Sequence, residues 1–453
     1  MRDVVLVILV LAGAVVAFRR PVYGMLIFVG FGIVNPQAFT WGFGQTFPLA
    51  QITALATIAG YVLSNEPKRF PHQRETWMLL ALWLFYCIST AGAVFPDRGW
   101  ISTEALARFK YVSKILLMIG LSMSILYTKE RIQLLMKVIA LCIGLFALKG
   151  GLWSLATGFQ YIVWGPPRTF LHANNSIGLA MAMNVPLLFY LIKVESNVWL
   201  RRVMWAMLVF SVPAILGTFS RGAWLGLTAA TGLILLKSKY KILIGMAGLI
   251  FILLFLPLLT LDVLPERIQS RFDQLVNYDE EQSAESRFWN WELCWRVGLA
   301  SPLTGEGFNY YQKSMYQKFY PEFQERWGYE VVWACHSMWF TIWGEHGIPT
   351  FILWVILLSS CFLSLRKVQR FARFNKDLEW LEHYAWMIQI SLVVYCIVGT
   401  FLDIAYFDVF YQLVGVVILL KEYMYRVVRS WHAKENEKAH IQTRRSQSLV
   451  GTV

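Results

Sequence analysis

The sequence predicts an all-α polytopic integral membrane protein with about 12 or 13 transmembrane helices and one large, partly helical loop on the periplasmic side. Three observations predict it. Only 15% of the residues are charged while 57% are hydrophobic, and the mean hydropathy is +0.50, far from the roughly one-quarter charged composition of soluble domains. Apolar runs of roughly 16 to 25 residues recur along the chain, each sufficient for a hydrocarbon core of about 30 Å. They are continuous and do not alternate with period two, so helices and not barrel strands are the spanning form.

The expected spans are 4–17, 21–34, 48–63, 77–95, 112–127, 132–157, 174–193, 202–218, 222–236, 241–261, 336–365, 384–400 and 404–420. Loop charge orients them. Arg19 and Arg20, then Lys68, Arg69 and Arg74, then Lys129 and Arg131 mark successive loops on one side. Lys193, Arg201 and Arg202 continue that side, followed by Lys237, Lys239 and Lys241, then Arg366, Lys367, Arg370, Arg373 and Lys376. The positive-inside bias makes this side cytoplasmic. The alternate loops are poor in Lys and Arg, apart from 96–111, which reads as an interfacial helix. The loop charges leave the orientation of the N-terminus open. Four regions follow: N-terminal transmembrane helices over 1–261, a periplasmic loop over 262–335, C-terminal transmembrane helices over 336–421, and a basic tail over 422–453. The tail is polar and poor in apolar residues, which predicts disorder.

A formal charge of +13 would suit a nucleic-acid binder, but the cations sit in short loops beside apolar runs, the pattern of topology signals. No nucleic-acid partner is expected. The apolar run at 4–17 lacks a small-residue cleavage site and is expected to be retained. Of the six cysteines, Cys87, Cys142, Cys361 and Cys396 fall in apolar runs and read as small buried hydrophobes. Cys294 and Cys335 share the large loop; spacing alone leaves their pairing undecided. There is no metal-ligand spacing of His and Cys, and no cofactor or metal is expected.

The large loop is too rich in Trp, Tyr and Phe to be a tether. Residues 266–276 and 286–299 have amphipathic helical spacing, the second with Phe288, Trp291 and Trp295 on one stripe and Arg287, Asn290 and Cys294 beside it. Aromatic faces of this kind can lie on a membrane surface. Pro302-Leu303-Thr304-Gly305-Glu306-Gly307 then marks a tight turn. Together these features predict a structured cap over the outer leaflet.

Arg168, Arg221, Arg287 and His336 recur at the boundaries of this face. Each has an ordinary alternative: a solvated loop cation, an exposed pair with Glu285 or Glu292, or an interfacial histidine. Arg221 stands out because it lies in a link of a few residues between apolar runs, where a cation needs a polar cavity or partner. Arginine forks bind phosphate bidentately and remain charged, and His336 is suited to acid–base work near neutral pH. His346, beside Glu345, lies deeper in the following span. Three arginines and a histidine on one face point to an anionic ligand together with a proton transfer.

The order of short motifs gives a more specific indication. Thr218-Phe219-Ser220-Arg221-Gly222-Ala223-Trp224, Ser286-Arg287 with Trp291, Pro302 to Gly307, His336 and Glu345-His346-Gly347 resemble, in that order, the bacterial O-antigen ligase and O-antigen polymerase family. Arg168-Thr169-Phe170 with Asn174 and Asn175 resembles the family's loop before a membrane helix. Arg20-Pro21, Asn35-Pro36 and Trp41-Gly42-Phe43 resemble an O-glycosylation ligase subgroup associated with exosortases. The resemblance covers most of residues 1–420. It implies a metal-independent, inverting glycosyltransferase at the periplasmic face of the inner membrane, with a glycan on undecaprenyl diphosphate as donor and lipid A-core as acceptor. It further implies that Arg221, Arg287 and Arg168 hold the diphosphate and that His336 works at the acceptor hydroxyl, with Ser220, Glu345 and His346 secondary. Cys335-His336-Ser337 departs from the many relatives that place Asn after the histidine. Other readings remain open: a polymerase using a second lipid-linked glycan, a ligase with a protein acceptor, a lipid-linked glycan transporter, and a non-enzymatic scaffold.

Overall fold

The computed structural model describes residues 2–94, 100–237 and 282–450. Among these residues there are helices, turns and irregular segments and no strands. The chain begins with α1 (Arg2–Arg19), α2 (Pro21–Val34) and α3 (Leu49–Leu63). Arg20 alone separates α1 from α2, and Pro21, whose missing N–H is no loss in a first turn, starts the return. The first turn of α1 is tied to the loop after α2, since Asp3 Oδ1 accepts from the backbone N–H of Gly42 at 3.1 Å and Gly44 at 2.8 Å. Chain start and loop 35–47 therefore share one end of the bundle.

Then come α4 (Arg74–Val94), α5 (Trp100–Ile125), α6 (Lys129–Ala156), α7 (Asn174–Val194), α8 (Val198–Leu216) and α9 (Arg221–Lys237). After the undescribed stretch the chain continues with α10 (Gln282–Ala300), α11 (Lys313–Phe319), α12 (Pro321–Trp327), α13 (Met338–Ala372), α14 (Glu379–Gly399) and α15 (Asp408–Val450). Helix α7 runs through the centre, buried from Ile177 to Leu188 and packed by α6, α8, α9 and α14. Gly178 permits the close approach of α9, because a Cβ there would lie 2.7 Å from Ala223 Cβ.

By length and apolarity, six helical stretches can cross a membrane: α4, α6, α7, α8, α13 and Lys376–Gly399, which contains α14. Helices α2 and α3 are apolar but shorter. The expectation of about 12 spans is met in this strict sense by half that number among the described residues. Helix α5 carries Glu104, Arg108, Lys110 and Lys114 within one continuous element. The separate interfacial helix and span expected over 96–111 and 112–127 are thus one helix from Trp100, with no proline to break it. The expected span 241–261 and the amphipathic segment 266–276 lie outside the described residues. The tail, where composition predicts disorder, continues α15 as helix to Val450; Lys, Glu, Ala, Arg and Gln are strong helix formers, and neither glycine nor proline occurs between Gly415 and Val450.

At the basic end, a buried ion pair sets the register of three helices. Glu75 on α4 accepts from Lys421 Nζ on α15 at 2.7 Å and from Ser360 and Ser364 Oγ on α13 at 2.5 and 2.6 Å. A fully partnered carboxylate of this kind offsets the desolvation of burial and defines how the helices slide.

The large loop is a folded cap with a core of its own: Leu293, Cys294 and Val297 from α10 pack with Tyr310, Met315, Tyr316, Tyr320, Phe323 and Cys335. The Cys294–Cys335 pair, which spacing left undecided, forms a disulfide with a Cα–Cα distance of 6.3 Å. The aromatic stripe of α10 packs largely on protein. Trp291 stacks on Phe340 at 5.4 Å and Trp295 on Trp343 of α13 at 4.8 Å, while Trp295 and Phe288 both keep an exposed face.

Candidate active site at the cap end of the bundle

The run from Thr218 to Trp224 makes an abrupt reversal between α8 and α9. Trp224 Nε1 donates to the α8 carbonyls of Ile215 at 3.1 Å and Leu216 at 3.3 Å, which have no partners within their own helix. Ser220 Oγ accepts from the Ala223 N–H at 3.3 Å and caps α9. Phe219, immediately before Ser220, has φ +52°, a left-handed conformation that bulky residues rarely adopt. The reversal puts Arg221 on the first turn of α9. Asn174, on the first turn of α7, donates from Nδ2 to Thr218 O at 2.8 Å, so the two helix N-termini converge.

Between them is a cavity of about 160 Å³ lined by Asn174, Asn175, Phe219, Ser220, Arg221, Gly222, Arg287, Phe401 and Leu402. Arg221 and Arg287, 66 positions apart in sequence, thus face one space, with the Arg287 guanidinium 6.0 Å from the Phe401 ring. Two guanidinium groups and two helix N-termini direct positive potential into the same volume, an arrangement that suits a phosphate or diphosphate.

His336 follows an irregular stretch, 331–336, and precedes α13. It has φ +51°. Its ring reaches the surface, yet the protein packed around it lowers the imidazole pKa below the ordinary value. The negative charge of Asp403 opposes that shift and the positive charge of Arg287 adds to it, so both groups lie within electrostatic reach of His336. Asp403 Oδ1 is held by Thr341 Oγ1 of α13 at 2.9 Å. Neither His336 nor Asp403 lines the cavity; His336 is linked to it through the charge of Arg287, and Asp403 follows the lining residue Leu402 in the α14–α15 link.

The other expected residues fall elsewhere. Arg168 (φ +61°) is exposed and does not line the cavity; its Nη1 donates to Gln45 O at 3.1 Å, on a loop also held by Asn35 Nδ2 donating to Pro167 O at 2.7 Å. Glu345 and His346 are buried and do not line it either. They belong to a kink. Gly347 (φ +76°) and Pro349 interrupt α13, and the displaced backbone groups are taken up by the 302–307 turn. Gly344 O accepts from Glu306 N–H at 3.1 Å, Glu345 O from Gly307 N–H at 2.9 Å, and Ile348 N–H donates to Pro302 O at 2.8 Å. A Cβ on Gly347 would lie 2.6 Å from Pro302 O. The Glu345 carboxylate accepts from Asn309 N–H at 2.8 Å and Tyr406 OH at 2.5 Å, while His346 lies 2.9 Å from Ser89 Oγ and 2.6 Å from Tyr406 OH. The motif pair 302–307 and 344–347 is thus a helix break and the turn that satisfies it.

Sequence reasoning missed Asp403. A signal existed: it is a lone acid between two apolar runs, in a link without Lys or Arg, where a charge requires a reason.

Fold and site together define a multi-pass helical membrane protein with a cavity lined by two arginines beside a folded cap. Comparison with protein families makes the class particular. Residues 206–355 match the O-antigen ligase family and residues 1–196 match a family of unknown function, DUF5935. The 206–355 region, which includes Arg221, Arg287 and His336, is similar to that ligase family; Arg168 lies in the other match and Asp403 in neither. No curated protein sequence matches the chain.

Proposed function

We propose that the protein is a metal-independent, inverting glycosyltransferase of O-antigen ligase type, which moves a glycan from undecaprenyl diphosphate to an acceptor hydroxyl, that of lipid A-core, at the periplasmic face of the inner membrane. The observation that carries this reading is the cavity in which Arg221 and Arg287 meet at two helix N-termini beside His336 and Asp403.

In this reading the diphosphate occupies the cavity. His336, neutral at physiological pH because its pKa is lowered, accepts the proton of the acceptor hydroxyl. The hydroxyl oxygen attacks the anomeric carbon from the opposite side, the bond from that carbon to the diphosphate oxygen breaks, and Arg221 and Arg287 stabilise the charge that builds on the leaving group. Asp403 supports the imidazolium that forms. Electrostatic donors aimed at developing charge contribute about 10²–10³-fold and a positioned base roughly 10²–10⁴-fold.

Two features support the periplasmic side. The cap contains a disulfide, which persists in oxidising compartments, and the opposite end has the basic loops. The contacts of Asp3 with loop 35–47 support an N-terminus on the cap side.

The test is transfer by the purified protein, with EDTA present, from an undecaprenyl-diphosphate glycan to lipid A-core. Wild-type transfer that His336→Ala abolishes in a folded protein is the expected result. Elongation on a second lipid-linked glycan would make it a polymerase, modification of a protein acceptor an O-glycosylation ligase, and full transfer by the variant would remove His336 from the mechanism.

A further inference from the structure

The disulfide joins the two parts of the site that no secondary-structure element connects. On α10, Arg287 and Cys294 are seven residues apart, two helical turns, and so share a face. Cys335 immediately precedes His336 in the chain. Both sulfurs are buried, and Tyr310 OH lies 3.8 Å from Cys335 Sγ. The stretch before His336 has no regular structure; it is otherwise fastened by Tyr316, whose OH donates to Trp333 O at 2.6 Å and lies 3.2 Å from Trp333 N. His336 itself is held in a left-handed backbone conformation that L-residues avoid. A covalent tie at the neighbouring residue is a means of holding both the conformation and the distance to the Arg287 helix.

We propose that Cys294–Cys335 is a positioning element of the active site: it fixes the His336 imidazole against the Arg287 helix, so the enzyme reaches full activity only after this thiol pair is oxidised. This rests on the glycosyltransferase reading of the same site. Formation joins two thiols in one S–S bond and passes two electrons and two protons to a disulfide-bearing thiol oxidoreductase of the extracytoplasmic compartment, which is reduced to its dithiol. Maturation by such an oxidant would thus precede the first glycan transfer.

The experiment combines thiol counting with kinetics on the full-length protein in detergent. Maleimide labelling after denaturation should find the four free cysteines before reduction and all six after it; six before reduction overturns the proposal. In Cys294→Ser/Cys335→Ser, kcat should fall by about tenfold to a hundredfold, with the donor KM changed by less than about threefold. If the bond only stabilises the cap, its loss would lower the unfolding temperature and leave the kcat of folded molecules and its acid limb unchanged, and that outcome overturns the proposal. If the double variant does not fold, stepwise phosphine reduction of wild type serves instead: six labels at an unchanged transfer rate is the refuting result. A further readout needs no turnover. The pH dependence of His336 carbethoxylation, followed by mass spectrometry, reports the imidazole directly as it faces Asp403 and Arg287. Reduction should move its midpoint up towards the ordinary histidine value, and an unmoved midpoint refutes positioning. Should oxidised wild type transfer no glycan to any acceptor, the glycosyltransferase reading fails by itself, while the label count and the midpoint still decide the role of the bond.

Discussion

Two histidines ten positions apart, each near a carboxylate, have opposite environments in this molecule. His336 stands at the surface in a left-handed backbone position, with Asp403 and the cavity-lining Arg287 acting on it through space. His346 is fully buried, and hydroxyls of Ser89 and Tyr406 meet both of its ring nitrogens. The first has room for a substrate and a reason to exchange a proton. The second is committed to its neighbours, in a network that closes the break in α13. Proximity in sequence and similarity of residue type therefore say little about role; access and unsatisfied capacity separate a reactive group from a structural one.

The sharpest way to break this comparison is to remove each histidine's chemistry in turn. His336→Ala should reduce transfer by roughly 10²–10⁴-fold without altering unfolding temperature. Arg221→Lys and Arg287→Lys keep the charge but lose the bidentate fork, and each should lower kcat by about 10–10³-fold, measured at saturating donor. Tyr406→Phe strikes the other histidine. It withdraws the hydroxyl from both Glu345 and His346, so thermal unfolding should show a loss of about 1–3 kcal/mol while transfer per folded molecule stays near wild type. Asp403→Asn tests the coupling around His336. The protonated imidazole is inactive as a base, so activity declines as pH falls through its pKa. Asp403 raises that pKa, and the neutral amide should move the acid limb to lower pH; a limb that does not move removes Asp403 from the site. Arg168→Ala should have the smallest effect, under about 1 kcal/mol on transfer or stability, as an exposed cation outside the cavity. A loss as large as that from Arg287 would instead return Arg168 to the diphosphate.

Much of this was legible beforehand. The apolar runs announced a membrane bundle, and the aromatic density of the loop announced a folded cap. Arg221 and Arg287 were identifiable as cations on a face where positive charge is scarce, and they do share a cavity. Arg168 satisfied the same local criteria and did not join them, because the loop contacts with Gln45 and Asn35 direct it elsewhere. Glu345 and His346 were legible as a motif but not as a helix break, since the complementary turn lies some forty residues upstream. Asp403 has no surrounding motif, and its relation to His336 exists only because Thr341 and the α14–α15 link come together in space.

By itself, then, the sequence determined the solvent in which this chain folds, the end of the bundle that carries the basic loops and the residue types available at the other. Hydrophobic transfer and loop charge act on short segments, and short segments are written in order along the chain. Tertiary structure alone decided which cations converge, which histidine stays accessible and which cysteines pair. Those outcomes depend on distances between residues tens to hundreds of positions apart, and helix packing, capping and a satisfied helix break set such distances in space.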